Sequence, residues 1–112
     1  MNYIVNLFGF DFYVEFSFHS KLRSSQRNVP YLLVLNALEE AQEEIGDNVR
    51  DGHDDFMIKD EFHDFAFVAV MHFKDETIDI KTILHSANCH TKPGDLIIRI
   101  LNDGSKEVEL PE

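Results

Sequence analysis

Apolar and polar residues alternate along the chain from Phe8 to Phe18. Every second residue is Phe or Val, while glycine, tyrosine, serine and two acidic residues fill the positions between them. A period of two that is sustained over eleven residues predicts a β-strand with one buried face. A second apolar segment, residues 3–7, comes before it, so the chain opens either with a hairpin or with one long bent strand.

A helical pattern follows this strand. Residues 20–27 are polar and can form one short helical piece. Asn28 can cap a longer helix that carries Pro30 in its first turn, and Gly46 supplies a C-terminal stop. Between these signals, apolar residues recur at helical spacing at Tyr31, Val34, Leu35, Leu38, Ala41 and Ile45. The sequence therefore predicts one main helix over residues 29–45.

The rest of the chain predicts strands at residues 56–59, 65–73, 78–84, 96–101 and 106–110. Residues 65–71 contain no polar side chain, which is typical of a central strand that is covered on both faces. Residues 102–105 read Asn-Asp-Gly-Ser, which is a strong hairpin signal. The order strands, helix, strands predicts a single α+β domain of 112 residues, with one main helix packed on a largely antiparallel sheet.

Negative charge is concentrated in residues 39–64, which we call the acid block. The block holds eleven carboxylates against Arg50 and Lys59, so it contributes −9 to the net charge of −11. It is either a solvated face that confers solubility or a docking surface for a basic protein, for example one that itself binds nucleic acid. The carboxylates predicted for such a docking surface are Glu39, Glu40, Glu43, Glu44, Asp47, Asp51, Asp54, Asp55, Asp60 and Glu61.

The position of these carboxylates on the predicted helix favours docking. Glu39 with Glu43, and Glu40 with Glu44, are like-charge pairs four residues apart, and each pair weakens a helix by about 0.2–0.5 kcal/mol. We expect Glu43 and Glu44 in the last helical turn, where the negative end of the helix dipole disfavours carboxylates. Carboxylates that cost local stability indicate a use at the surface.

The one basic segment contains His19, Lys21, Arg23 and Arg27. If it is helical, Arg23 and Arg27 share a face with His19 one turn earlier, which suits a phosphate or a carboxylate. The alternative is pairing within the chain, between this segment and the acid block. Because clustered cations are few, we expect no direct binding of nucleic acid. The longest apolar run is too short to cross a bilayer, so we expect no membrane association.

Two groups of histidines carry metal-binding side-chain types. His53 lies among aspartates with His63 nearby, and His85, Cys89 and His90 form the second group. Imidazole, carboxylate and thiolate all bind metal ions, but neither spacing matches a recognised site. We therefore expect neither a metal nor a cofactor. The single cysteine cannot form an internal disulfide, which favours a reducing cytosol.

Residues 14–84 resemble the RelE-like toxin superfamily. The resemblance rests on a strand, the pattern His-Ser-x-x-Arg-x-x-x-Arg-x-Val that starts at His19, a helix, and three strands that end in Ile-Asp-Ile-Lys-Thr-Ile-Leu. It implies metal-independent cleavage of RNA, with His19 as the base, Arg23 and Arg27 as cations on the phosphate, and His85 as the acid. Members that bind RNA tend to be basic, whereas this chain carries −11.

Charge therefore favours a small, acidic, non-enzymatic protein that blocks a basic surface of another protein. Inhibitors, immunity proteins and phage counter-defence proteins act in this way. A RelE-like ribonuclease is the enzymatic alternative. The third alternative is an accessory protein that forms homodimers through its Phe-rich N-terminal strand.

Overall fold

The computed structural model describes residues 3–49, 55–89 and 95–110. These residues form a mixed α/β fold with three helices and one seven-stranded sheet. The elements are β1 (Tyr3–Leu7), β2 (Phe10–Phe16), α1 (Phe18–Arg27), α2 (Tyr31–Glu40), α3 (Gln42–Asn48), β3 (Phe56–Asp60), β4 (Phe65–His72), β5 (Thr77–Leu84), β6 (Leu96–Ile100) and β7 (Lys106–Glu109).

The sheet has the order β1-β2-β5-β4-β3-β6-β7. Strands β3, β4 and β5 form an antiparallel meander at its centre. The hairpin β1–β2 joins one side of the meander through the parallel pair β2–β5, and the hairpin β6–β7 joins the other side through the parallel pair β3–β6. The sheet is thus mixed, and its order departs from the order of the strands along the chain.

The first two apolar segments form a hairpin. Its two-residue loop consists of Phe8 and Gly9, which both have positive φ, at 57° and 81°. Two consecutive residues with positive φ define the turn that suits the twist of paired strands. Leu7 and Phe10 are paired directly beside this loop. Of the two openings that the sequence allows, the hairpin is the one that forms.

The predicted single helix over residues 29–45 is wrong, because this region and the polar segment before it form three helices. Asn28 takes a left-handed conformation at the C-cap of α1 and does not begin α2. A break at Ala41 separates α2 from α3. Gly46 lies inside α3, which continues to Asn48, so it is not a helix stop.

The Gln42 side chain makes two hydrogen bonds beside the break at Ala41. Its Oε1 accepts a hydrogen bond from the Phe8 backbone N–H at 3.0 Å, and its Nε2 donates to the Glu39 carbonyl at 3.0 Å. One amide therefore ties the end of α2 to the loop of the first hairpin. This contact depends on tertiary structure and leaves no local signal in the sequence.

The helices cover one face of the sheet. Val34, Leu38 and Ile45 are fully buried in a cluster with residues of the strands, including Phe56 and Phe67. A second, smaller cluster on the opposite face contains Met57, Ala66 and Ile97 and no helical residue. Strand β4 lies in the middle of the sheet and is buried on both faces, as its apolar sequence predicts. We call the second face the helix-free face.

Within the described ranges, none of the helices has the length and apolar character that a bilayer crossing requires.

Candidate functional site

Five carboxylates of the acid block lie on the second and third helices, and we call them the α2–α3 carboxylates. Glu39, Glu40, Glu43 and Asp47 are exposed, and Glu44 is half-buried. The buried side of the same two helices carries Val34, Ala37, Leu38, Ala41 and Ile45. The apolar side packs on the sheet, so the five acidic side chains are left on the solvent side of the segment.

The break at Ala41 changes the electrostatics expected for this segment. Glu43 and Glu44 lie in the first turn of α3, where the positive end of the helix dipole favours carboxylates. The prediction that they occupy a last helical turn is therefore wrong. Glu39 and Glu40 occupy the last turn of α2, where carboxylates are disfavoured and no basic residue offsets them. Only Ala41 separates the two helix ends, so the negative end of α2 and the positive end of α3 partly offset each other there.

None of the α2–α3 carboxylates forms an ion pair with another described residue. The ion pairs within the described ranges join His63 to Asp60, His72 to Asp79, and Arg99 to Glu109. A carboxylate without a partner in its own chain keeps its charge available to a second molecule.

The basic segment does not pair with the acid block among the residues described. Arg23 donates to Gln26 Oε1 at 2.9 Å, within the same helix. Arg27 donates to the Ile83 carbonyl at 2.9 Å and so ties the end of α1 to β5. The predicted intramolecular pairing of these two segments is absent from this part of the chain.

The other described carboxylates of the acid block lie at the two ends of β3. Asp55 is exposed before β3 begins, whereas Asp60 and Glu61 lie where β3 ends, about 17–20 Å away by strand geometry. Asp60 is only 2% exposed, and its carboxylate is bonded to His63. Asp51 and Asp54 lie outside the described residues.

The residues that the RelE-like resemblance assigns to catalysis lie on α1 and just after β5. His19 is exposed in the first turn of α1, and Arg23 is half-buried one turn later. The bond from Arg27 to Ile83 brings the end of α1 to the end of β5, two residues before the exposed His85. The ribonuclease hypothesis and these assignments stay predictions.

The Phe-rich strand β2 is hydrogen-bonded on both sides, to β1 and to β5. Phe12 and Phe16 point into the core. Self-association by strand pairing would need a free edge, which β2 lacks. Contact through this region would instead use exposed rings such as Phe10 and Phe18, which are 61% and 83% exposed.

The structure describes only part of the two histidine groups that the sequence offered as metal-binding candidates. His53 and His90 lie outside the described residues, and His63 bonds Asp60. In the described ranges, no three side chains of His, Cys, Asp or Glu are grouped closely enough to hold a metal ion.

A polar cavity on the helix-free face was not predicted from the sequence. It has a volume of about 500 Å³ and lies beside the neighbouring strands β3 and β6, so we call it the β3–β6 cavity. It is lined by Lys59, Glu61, Asp64, Ala87, Asn88, Cys89, Arg99 and Asn102. The available signal was a single cation inside each of two apolar strands, Lys59 in Phe-Met-Ile-Lys and Arg99 in Leu-Ile-Ile-Arg-Ile.

The loop after β5 forms one wall of this cavity. Asp64 Oδ1 accepts hydrogen bonds from the Ser86 hydroxyl at 3.1 Å and the Ala87 backbone N–H at 2.9 Å. The Ser86 hydroxyl oxygen in turn accepts from the Asn88 N–H at 3.1 Å. Asp64 thus fixes the loop against the β3–β4 turn, so the wall is held by hydrogen bonds at its base.

No protein-family model, curated protein or solved structure matches the chain.

Proposed function

We propose that this protein is a small acidic binding protein that blocks a basic surface of another protein, acting as an inhibitor, immunity or counter-defence factor. The α2–α3 carboxylates are its contact surface. The observation that carries the proposal is that four of these five side chains are exposed and that none of the five pairs with a described cation.

Charge supports a protein partner with a basic surface. A patch of one sign speeds the encounter with an oppositely charged patch and disfavours partners of like charge. With a net charge of −11, the chain repels nucleic acid, so a cationic groove that normally holds nucleic acid is a suitable target. The compartment that we propose is the cytoplasm.

Helix geometry supports a single contact patch. Glu39, Glu40 and Glu43 lie within about one helical turn of each other across the break at Ala41, and all three are exposed. The packing of α2 and α3 on the sheet fixes the helical backbone that carries these carboxylates. Part of the ordering that binding requires is therefore already made in the free protein.

Affinity capture with a charge-matched control tests the proposal. The bait is the wild-type chain, used on lysate of the source cells at low and at high salt. The first variant carries Glu39→Lys, Glu40→Lys and Glu43→Lys. The control carries Glu15→Lys, Asp75→Lys and Glu76→Lys, at exposed positions whose side chains make no hydrogen bond or ion pair with another described residue. Both variants change the net charge by the same amount.

We expect a basic protein to be retained by the wild type and the control at low salt, and to be released at high salt. The α2–α3 variant should not retain it, although it should unfold at about the same denaturant concentration. The proposal fails if no basic protein is retained selectively. It also fails if both triple variants lose the partner equally, because net charge alone would then explain the binding.

A further inference from the structure

The β3–β6 cavity is lined by a largely buried lysine. Lys59 is only 4% exposed as a whole residue, so most of its side chain is packed within the protein. Among the described residues its one hydrogen-bond partner is the Cys89 backbone carbonyl, at 3.1 Å. A buried charge is normally paired with an opposite charge, whereas the partner of Lys59 in the described part of the chain is a neutral group.

A second cation lies directly beside Lys59. The parallel pairing of β3 and β6 sets Lys59 opposite Arg99, with both side chains on the helix-free face. Like charges in directly opposed positions of neighbouring strands destabilise a sheet. Arg99 is neutralised by Glu109, which it contacts through Nε and Nη2 at 3.0 Å. No carboxylate among the described residues does the same for Lys59.

The acidic side chains of the cavity restrict the charge and the hydrogen-bonding groups of a ligand. Glu61 and Asp64 also line it, so a multiply charged anion such as phosphate would be repelled. The Asp64 carboxylate is bonded to the loop through Ser86 and Ala87, whereas the Glu61 carboxylate has no hydrogen-bond partner among the described residues. A ligand with one negative charge and hydrogen-bond donors elsewhere would complement both Lys59 and Glu61.

We propose that the β3–β6 cavity binds a small carboxylate that also carries hydroxyl or amino groups. The carboxylate lies on the Lys59 ammonium, and the donor groups lie toward Glu61. A volume of about 500 Å³ is within the range of pockets that bind small molecules. This site does not depend on the proposed contact surface on α2 and α3.

Titration followed by NMR of the lysine side chains tests the site in the intact chain. The probes are glycolate and L-serine, which carry both a carboxylate and a donor group. Acetate lacks the donor, ethanolamine lacks the carboxylate, and inorganic phosphate is the multiply charged anion. Sodium chloride at the same ionic strength measures the effect of salt. We expect glycolate and serine to shift the Lys59 side-chain signals to saturation, with weaker binding of acetate and no saturable shift with ethanolamine or chloride.

Two substitutions connect these shifts to the named residues. Lys59→Met should weaken glycolate binding by about tenfold or more, because a charged hydrogen bond is lost. The matched control Lys106→Met removes a lysine that also donates to a backbone carbonyl, that of Gly104, and should leave binding unchanged. Glu61→Gln should weaken serine binding more than acetate binding.

The proposal is overturned if neither glycolate nor serine shifts the Lys59 signals beyond the effect of chloride. It is also overturned if Lys59→Met binds as tightly as the wild type, and its ligand class is wrong if phosphate binds more tightly than glycolate. Should Lys59→Met fail to fold, the saturable shift of Lys59 in the wild-type protein decides the matter.

Discussion

Asp60 holds His63 at two points. Its Oδ1 accepts a hydrogen bond from the His63 backbone N–H at 3.0 Å, and its Oδ2 lies 2.9 Å from His63 Nδ1. The carboxylate is buried at the end of β3, and the two bonds shape the turn that leads into β4. One acidic residue of the acid block is therefore a structural element of the sheet.

Replacing Asp60 by Ala should destabilise the protein. The substitution removes both hydrogen bonds between this carboxylate and His63, and one hydrogen bond to a charged group contributes about 1.5–3 kcal/mol to the unfolding free energy. Asp60→Asn keeps one oxygen for the N–H and should cost less. The control Asp55→Ala removes an exposed carboxylate and should change the free energy by no more than about 0.5 kcal/mol. Urea unfolding measures all three. Equal effects of Asp60→Ala and Asp55→Ala would contradict the structural role of Asp60.

The loop of the first hairpin should be sensitive to a side chain at Gly9. An added Cβ meets nothing within 4 Å, so the cost of Gly9→Ala comes only from the positive φ of 81°. We expect a loss of about 1 kcal/mol in unfolding free energy. Gly9→Asn should cost less, because asparagine tolerates the left-handed region better. If alanine and asparagine were equally harmless in chemical denaturation, the loop would have a different conformation.

Gly46 and Phe8 should be coupled energetically. Alanine is a better helix former than glycine by about 1 kcal/mol, but a Cβ on Gly46 would lie 2.8 Å from Phe8 Cε1. Phe8 is itself in contact with Phe12 and Phe73, with ring centroids 6.2 Å apart in each pair. We therefore expect Gly46→Ala to stabilise the Phe8→Ala variant by more than it stabilises the wild type.

A double-mutant cycle measures this coupling. It requires the unfolding free energies of the wild type, both single variants and the double variant. We expect a coupling energy of at least about 0.5 kcal/mol. Additive effects of the two substitutions would show that the Phe8 ring does not pack over α3.

Tyr31 should make the protein less stable in alkali. Burial raises the pKa of Tyr31 above its ordinary value of 10.0, and the nearby Tyr3 contributes in the same direction. Above pH 10 the unfolded chain releases this proton while the folded chain keeps it, so rising pH favours unfolding. Below that pH the residue has no such effect.

Tyr31→Phe should reduce this loss of stability while it keeps the ring stacked on Phe16, whose centroid is 4.1 Å away. Urea unfolding at a series of pH values on both sides of 10 measures how the unfolding free energy of each protein declines. The control is Tyr13→Phe, at a position that is 48% exposed, and it should leave the decline of the wild type in place. A parallel decline in all three proteins would mean that Tyr31 is not its cause.

The sequence predicts the positions of most strands because each strand carries its own alternation or apolar run. The hairpin at Asn102–Ser105 is confirmed, since β6 and β7 pair on either side of it. The pairing of β2 with β5 depends on residues far apart in the chain, and no local pattern encodes it. Likewise, the division of the helix at Ala41 coincides with a contact between Gln42 and Phe8, which are 34 residues apart in the chain.

At the candidate sites, too, features that depend on local sequence could be predicted, and features that depend on tertiary contacts could not. Exposure of Glu39, Glu40 and Glu43 follows from helical spacing, which the sequence displays. The burial of Asp60 and Lys59 does not follow, because both residues are of types that normally face solvent. In the sequence, Lys59 is only one of two basic residues that reduce the negative charge of the acid block. In the fold, its ammonium group donates to the Cys89 carbonyl in the loop after β5.

The parallel pairing of β2 with β5 has a consequence for folding during synthesis. Tyr13 pairs with Thr77, and Ser17 bonds the Lys81 carbonyl, a separation of 64 residues. When the first hairpin leaves the ribosome, the strand that will flank it has not been translated. An isolated two-stranded hairpin is at best marginally stable in water. The first strands to be made therefore gain their β5 partner only after most of the chain exists, and a chain truncated before β5 would leave one edge of β2 without its hydrogen-bonded neighbour.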